Sequence, residues 1–210
     1  TLRADQIRTF AHIARKYDKG YGHWTTRQNI QFNWVALKDI PDVLDELAGV
    51  EMHAIQTSGN CIRNTTSDQF AGATAEEIAD PRPWCEIIRQ WSTFHPEFSF
   101  LPRKFKIAMA IPPYNDVDVF AHCLGFIAIV EDGKLLGFNV SVGGGMGMTH
   151  GNEKTFPRLA EVIAFCTPDQ AVAVAEKIVT IQRDHGNRED RANARFKYTV
   201  ERLGKDWIRE

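Results

Sequence analysis

The sequence predicts an α+β fold, in which helices and strands are mixed along the chain without regular strand-helix alternation. Three observations carry that expectation. Residues 4–17 repeat apolar side chains at helical spacing, residues 104–111 alternate with a period of two, and Asp132-Gly133 separates two apolar runs as a hairpin turn does. At 210 residues and 43% hydrophobic composition, the chain is long enough to bury a substantial core.

In chain order, Ile7, Phe10, Ile13 and Ala14 share one face of a helix expected over Ala4 to Tyr17, with Gly20 just beyond its end. A strand is expected from Trp24 to Leu37. Asp39 as N-cap and Pro41 near the first turn then open a short helix that Gly49 closes. Helix, strand, helix is part of a split βαβ, ferredoxin-like unit without its opening strand, and residues 1–52 are assigned to it.

Residues 53–210 are assigned to a second, mixed-sheet domain. It opens with a loop from Gln56 to Gln69, a capping box of Thr74 and Glu77, and a helix from about Trp84 to Thr93. The strand over 104–111 follows and is ended by Pro112 and Pro113. Gly125 to Val142 forms a hairpin, because Asp132 and Gly133 accept the positive φ values of a type I′ turn. Gly143, Gly144 and Gly145 permit close approach of the backbone to another group. Thr167, Pro168 and Gln170 open a long helix ending near Gly186, and a last helix is expected from Asp190 to Leu203. The chain begins at Thr1 without an initiator Met and reads as a piece of a longer protein.

Composition excludes several classes of function. The net charge is −2 with acids and bases interspersed, so no basic field marks a nucleic-acid or membrane partner. No apolar run approaches the roughly 18 residues of a spanning helix, and no signal-peptide pattern is present, which predicts a cytoplasmic protein. Cys61, Cys85, Cys123 and Cys166 are scattered without metal-ligand spacing, so no metal site is assigned to this chain.

The run FSFLPRKFKIAMAIPP carries the most chemistry. Phe105, Ile107, Met109 and Ile111 form an apolar face, and Lys104, Lys106, Ala108 and Ala110 form the other. Two ammonium groups beside two small side chains suit a large, planar, anionic ligand. The competing reading is an edge strand whose lysines face water. In TTRQNIQFNW the same test sets Arg27, Asn29, Gln31 and Asn33 opposite Ile30, Phe32 and Trp34. Arg63, in the loop TSGNCIRNTTSD, adds a further cation, and together these point to an anion site.

TTRQNIQF, NCIRN, LPRKFK, GKLLGFNVSVGGG, HGNEKT and QRDHGNREDRANARFKYTVERLG occur in an order similar to that of the siroheme-dependent sulfite and nitrite reductases, over essentially the whole chain. The resemblance is strongest to the haemoprotein of assimilatory sulfite reductase. It implies a siroheme-binding α+β domain of the nitrite/sulfite reductase type, working with a 4Fe-4S cluster. By resemblance, Arg63, Lys104 and Lys106 are the catalytic cations around the substrate anion. Thr25, Arg27 and Gln31 contact siroheme, Arg103 and the Gly143–Gly145 backbone contact the macrocycle or its carboxylates, and Arg195 falls where the family has a basic residue near the haem.

The substrate so implied is sulfite, or alternatively nitrite, with a flavoprotein or ferredoxin as electron donor. The resemblance also implies segments that this chain lacks. An upstream arginine-bearing stretch and the downstream cysteine motifs that ligate the cluster are not in the sequence, so the 210 residues alone are expected to be inactive. A non-enzymatic anion- or RNA-binding module is the remaining alternative. It is disfavoured because Phe32, Trp34 and Phe105 fall opposite the cations, whereas an RNA-binding sheet presents aromatics beside them.

Overall fold

The computed structural model describes residues 2–210, and its internal contacts divide the chain into two units, 1–57 and 58–210. In the first unit, helix α1 (Ala4–Tyr17) and helix α2 (Ile40–Ala48) bury Phe10, Ile13, Val43 and Leu47 against each other, with Ile30 and Phe32 packed on the cluster. Both helices match the amphipathic pattern, and Pro41 and Gly49 stand at the expected ends of α2.

The expected strand from Trp24 to Leu37 does not form as one element. Instead β1 (His23–Trp24) and β2 (Ile30–Gln31) make a small antiparallel hairpin. The reason lies in the turn: Gln28 takes a φ of 59°, and the Thr25 Oγ1 accepts the Asn29 N–H at 3.2 Å. A side-chain oxygen that captures nearby backbone donors competes with strand pairing.

The second unit is built on a five-stranded sheet in the order β3 (Ile62–Thr66), β4 (Phe105–Ala110), β5 (Leu124–Glu131), β6 (Lys134–Val142), β7 (Glu161–Cys166). The first three strands run parallel, and β5, β6 and β7 are antiparallel neighbours. Helix α3 (Arg82–Ser92) makes the crossover from β3 to β4, and α4 (Ala171–His185) and α5 (Phe196–Leu203) also pack on the core. Phe105, Ile107, Met109, Phe126, Phe138 and Phe196 are fully buried there. The hairpin turn is as read, with Asp132 at φ 49°, Gly133 at φ 71° and Glu131 paired with Lys134.

Several expectations are corrected. The loop over Gln56–Gln69 contains β3, and β7 was not read at all. Thr74 and Glu77 open no helix: the Thr74 hydroxyl accepts the Glu76 N–H and the Glu77 carboxylate accepts the Gly72 N–H. The last helix is broken. A 3-10 turn over Arg191–Asn193 precedes α5, and a short α6 (Lys205–Arg209) follows Gly204, whose φ is 85°.

Strand β4 also settles the question of the edge. It lies between β3 and β5, so it exposes no unpaired edge for lysines to protect. Nor does a ligand cover its small side chains. Ala108 and Ala110 are buried under Val117 and Val119 of the chain that leads from β4 to β5.

Candidate functional site

The parallel run of β3, β4 and β5 brings their N-terminal ends to one end of the sheet, and antiparallel β6 returns its C-terminal end there, with Leu124 opposite Val142. Ile62 and Phe105 are register partners and both are buried. A register shift between Ile62 and Thr65 then sets two residues of β3, Arg63 and Asn64, against the single Lys106 of β4. Lys104 stands just before β4, Cys123 just before β5, and Gly143, Gly144 and Gly145 just after β6.

Four cations act on one another here. Burial pushes the Lys104 ammonium below its ordinary pKa, and Arg195, Arg63 and Arg103 push it further in the same direction, with Cys123 opposing. Arg63 is lowered first by burial and then by Arg103 and Arg195, against the opposite influence of Cys61. Arg103 is lowered by burial, Arg191 and Arg195. No carboxylate lies among the groups acting on Lys104 or Arg103. Arg63 is held in place by Nε and Nη2, which donate to the Gly59 carbonyl at 3.2 and 2.9 Å.

Arg195 precedes α5, and its Nη2 lies 3.8 Å from the Cys123 sulfur. Its Nε is buried and, among the described residues, has no hydrogen-bond partner. A buried guanidinium donor left open costs free energy unless something accepts from it. An orphaned donor within a set of cations fits a ligand bearing several carboxylates, and siroheme is such a ligand.

The glycine turn is tied down from within. The N–H groups of Gly143, Gly144 and Gly145 donate to the carbonyls of Cys123, His122 and Arg158 at 2.9, 2.8 and 2.8 Å. Gly144 is required by packing, because a Cβ there would collide with the Phe120 carbonyl oxygen and stand 2.6 Å from that of His122. Gly144→Ala is therefore expected to cost about 1–3 kcal/mol of stability, as overpacking does. Chemical denaturation measures the loss.

Lys197 was missed by the sequence reading. It is 1% exposed, and its Nζ donates to the carbonyls of Gly145 at 3.0 Å, Gly147 at 2.7 Å and Phe156. Arg195 just before α5 and Lys197 in its first turn sit at the end where the helix dipole disfavours positive charge, and that placement was the available signal.

On the first unit, Arg27 is 8% exposed in the turn between β1 and β2, and Thr25 builds that turn. The Gln31 side chain donates to Asn33 Oδ1. On the second unit, a cavity of about 250 Å³ lies at the opposite end of β4, among Asp68, Glu76, Glu77, Pro112, Tyr114 and Asp116. Its carboxylates repel an anion, so it is separate from the cation cluster.

Among the described residues no group of three or more His, Cys, Asp or Glu is arranged to hold a metal, and the four cysteines are free thiols. The residues present thus fit siroheme carboxylates but not the ligand set of a 4Fe-4S cluster.

Lys104 gives the site a testable pH dependence. Between its lowered folded pKa and the ordinary lysine value the unfolded chain binds more protons, so stability rises with pH through that window. An anion beside Lys104 reverses the shift and draws a proton in. Affinity for inorganic sulfate is accordingly expected to fall as the pH is raised from about 7 to about 10, with proton uptake on binding read by calorimetry in two buffers. Binding without proton uptake would remove Lys104 from the site.

Comparison with known proteins identifies the family. Residues 58–210 match the model for the nitrite and sulphite reductase 4Fe-4S domain, and residues 1–50 match the nitrite/sulfite reductase ferredoxin-like half domain. Relatives include the sulfite reductase (NADPH) hemoprotein beta-component of Geobacillus thermodenitrificans, 44% identical over 94% of this chain and 39% of its own length. That of Bacillus subtilis is 42% identical with the same coverage. The chain thus spans about two fifths of the curated relatives it matches.

Among solved structures, the NirA protein of Mycobacterium tuberculosis superposes with a TM-score of 0.83 at 26% identity, over 98% of this chain and 36% of that one. Dissimilatory sulfite reductase I shares the fold, with a TM-score of 0.75 at 12% identity over 99% of this chain and 65% of that one. The chain therefore belongs to the nitrite and sulphite reductase 4Fe-4S domain family, with a ferredoxin-like half domain at its N-terminal end.

Proposed function

We propose that this chain forms the anion-binding part of a siroheme-containing sulfite reductase, which reduces sulfite to sulfide in the full-length protein. The observation that carries this reading is the set of Arg63, Arg103, Lys104 and Arg195, four mutually repelling cations gathered at one end of the sheet. Such a set is costly without an anion to share it. Arg103 and Arg195 would hold siroheme carboxylates beside the Gly143–Gly145 turn. Thr25, Arg27 and Gln31 on the first unit are assigned as siroheme contacts on the resemblance of TTRQNIQF alone. Siroheme with its 4Fe-4S cluster supplies the electrons when bound.

The protein's own residues supply charge and protons. Sulfur passes from the +4 to the −2 oxidation state, so six electrons are consumed, and each oxygen must leave as water with two protons. Arg63, fixed by the Gly59 carbonyl, holds the anion electrostatically. Lys104 and Lys106 hold it as well and donate protons from Nζ to the departing oxygens. The lowered pKa of Lys104 makes its ammonium a stronger acid, and so a better proton donor, than that of an ordinary lysine.

The names of the relatives carry NADPH, which favours an NADPH-fed flavoprotein over ferredoxin as the donor. Nothing long and apolar enough to cross a membrane occurs among the helices of the described residues, in keeping with a cytoplasmic role in sulfur assimilation. The same cations would serve nitrite, a second small oxyanion. Turnover of the full-length enzyme with the two anions decides the point: kcat/KM for sulfite is expected to exceed that for nitrite, and the reverse order would assign the protein to nitrite.

A further inference from the structure

We propose that Lys197 is a positioning residue, whose buried ammonium fixes the Gly145–Phe156 segment as the wall that aims the Arg195 guanidinium at the anion. This rests on the reading of the cation cluster as a siroheme and sulfite site.

Three backbone carbonyls converge on one Nζ: those of Gly145 at 3.0 Å, Gly147 at 2.7 Å and Phe156. An ammonium has three N–H donors, so each is used. The carbonyls come from both ends of an exposed segment that contains Met146, Met148 and His150, and Lys197 joins those ends beside the backbone pair of Gly145 and Arg158. Burying the charge is unfavourable, as its lowered pKa shows, and burial is the larger cause with Arg195 second. No carboxylate stands among the groups that act on Lys197, so its positive field is not cancelled locally. Helix stability does not call for it either, because the N-terminus of α5 favours anions.

The link to Arg195 is direct. A Cβ placed on Gly145 would lie 3.2 Å from Lys197 Cδ and 3.3 Å from Arg195 Nη2, so both side chains bear on the Gly145 backbone. The same Arg195 Nη2 also lies 3.8 Å from the Cys123 sulfur. Removing Lys197 takes the ammonium from the Gly147 and Phe156 carbonyls and leaves the Gly145 carbonyl with only the Arg158 N–H, at 3.0 Å, so that the Gly145 wall is free to move away from the guanidinium. Arg158, which donates to the Gly143 carbonyl at 3.1 Å, holds the opposite side of the turn and remains. The change should therefore be confined to the segment that follows Gly145.

The test uses the full-length protein with Lys197→Met, which keeps most of the side-chain length and removes the charge, and Lys197→Gln, which keeps an uncharged amide with two N–H donors. Amide hydrogen exchange over residues 146–156 is expected to rise at least about tenfold in Lys197→Met, with the β5 and β6 amides unchanged, and to rise less in Lys197→Gln. At matched siroheme content, KM for sulfite is expected to rise at least about tenfold in Lys197→Met with a smaller fall in kcat, as for loss of ground-state anion binding. Unchanged exchange over 146–156, or loosened exchange with an unchanged KM, would overturn the proposal. If Lys197→Met does not fold, the wild-type protein still decides: amides of 146–156 that exchange as fast as free peptide would show that Lys197 holds nothing. Failure of the functional reading is separate, since it appears as a wild-type protein without sulfite turnover while the exchange comparison still stands.

Discussion

Lys104→Ala and Lys106→Ala, each made in the full-length enzyme, are expected to lower sulfite turnover by about a hundredfold or more while siroheme content and melting stay nearly unchanged. The estimate is that for losing one positioned donor to developing negative charge, about 2.7 to 4 kcal/mol. Lys106 lies on a strand with neighbours on both sides and Lys104 stands just before it, and Ala108 and Ala110 further along the same face are covered by the chain itself. Neither edge protection nor packing against a flat ligand explains them, which leaves their charge as the feature that matters. Ordinary solvent-facing lysines would behave otherwise: their loss would shift stability by about half a kcal/mol and leave turnover intact. Steady-state turnover at matched siroheme content separates the two.

Phe105→Ala is expected to cost roughly 3–5 kcal/mol of stability. Phe105 lies between the two lysines in sequence yet faces the other way, is 0% exposed, and packs its ring at a tilt of 49° against that of Phe196, with centroids 5.2 Å apart. Its loss opens a cavity where β4 meets α5, the helix that begins just after Arg195. Chemical denaturation measures the effect. A loss below about 1 kcal/mol would mean that the alternation of β4 had been assigned to the wrong faces.

The α+β class, helices α1, α2 and α4, and the 132–133 hairpin were legible because each rests on local chemistry: a periodic apolar face, a cap, or a pair of residues that accept positive φ. Elements that depend on tertiary pairing were not. β3 contains one large apolar side chain, Ile62, and forms because β4 pairs with it. Two similar capping boxes had different outcomes for a physical reason. Pro168 lies inside the first turn at Thr167, where a missing N–H costs nothing, whereas Pro81 follows Thr74–Glu77 closely and restricts Asp80 against helical geometry.

The cations at the candidate site were legible individually, since Lys104 and Lys106 stand out in an apolar run. Their gathering was less so, because it depends on β3, β4 and β5 being parallel, and β3 was read as loop. Lys197 was missed for a related reason. Its partners are backbone carbonyls some forty to fifty residues away in sequence, and nothing in their side chains marks them.

The absorption spectrum of the full-length protein, recorded before and after sulfite is added to the reduced enzyme, tests the central claim most directly. The account predicts siroheme bands at stoichiometric content that shift when sulfite binds. A full-length protein without siroheme absorption, or with siroheme bands that sulfite leaves unmoved, would contradict it.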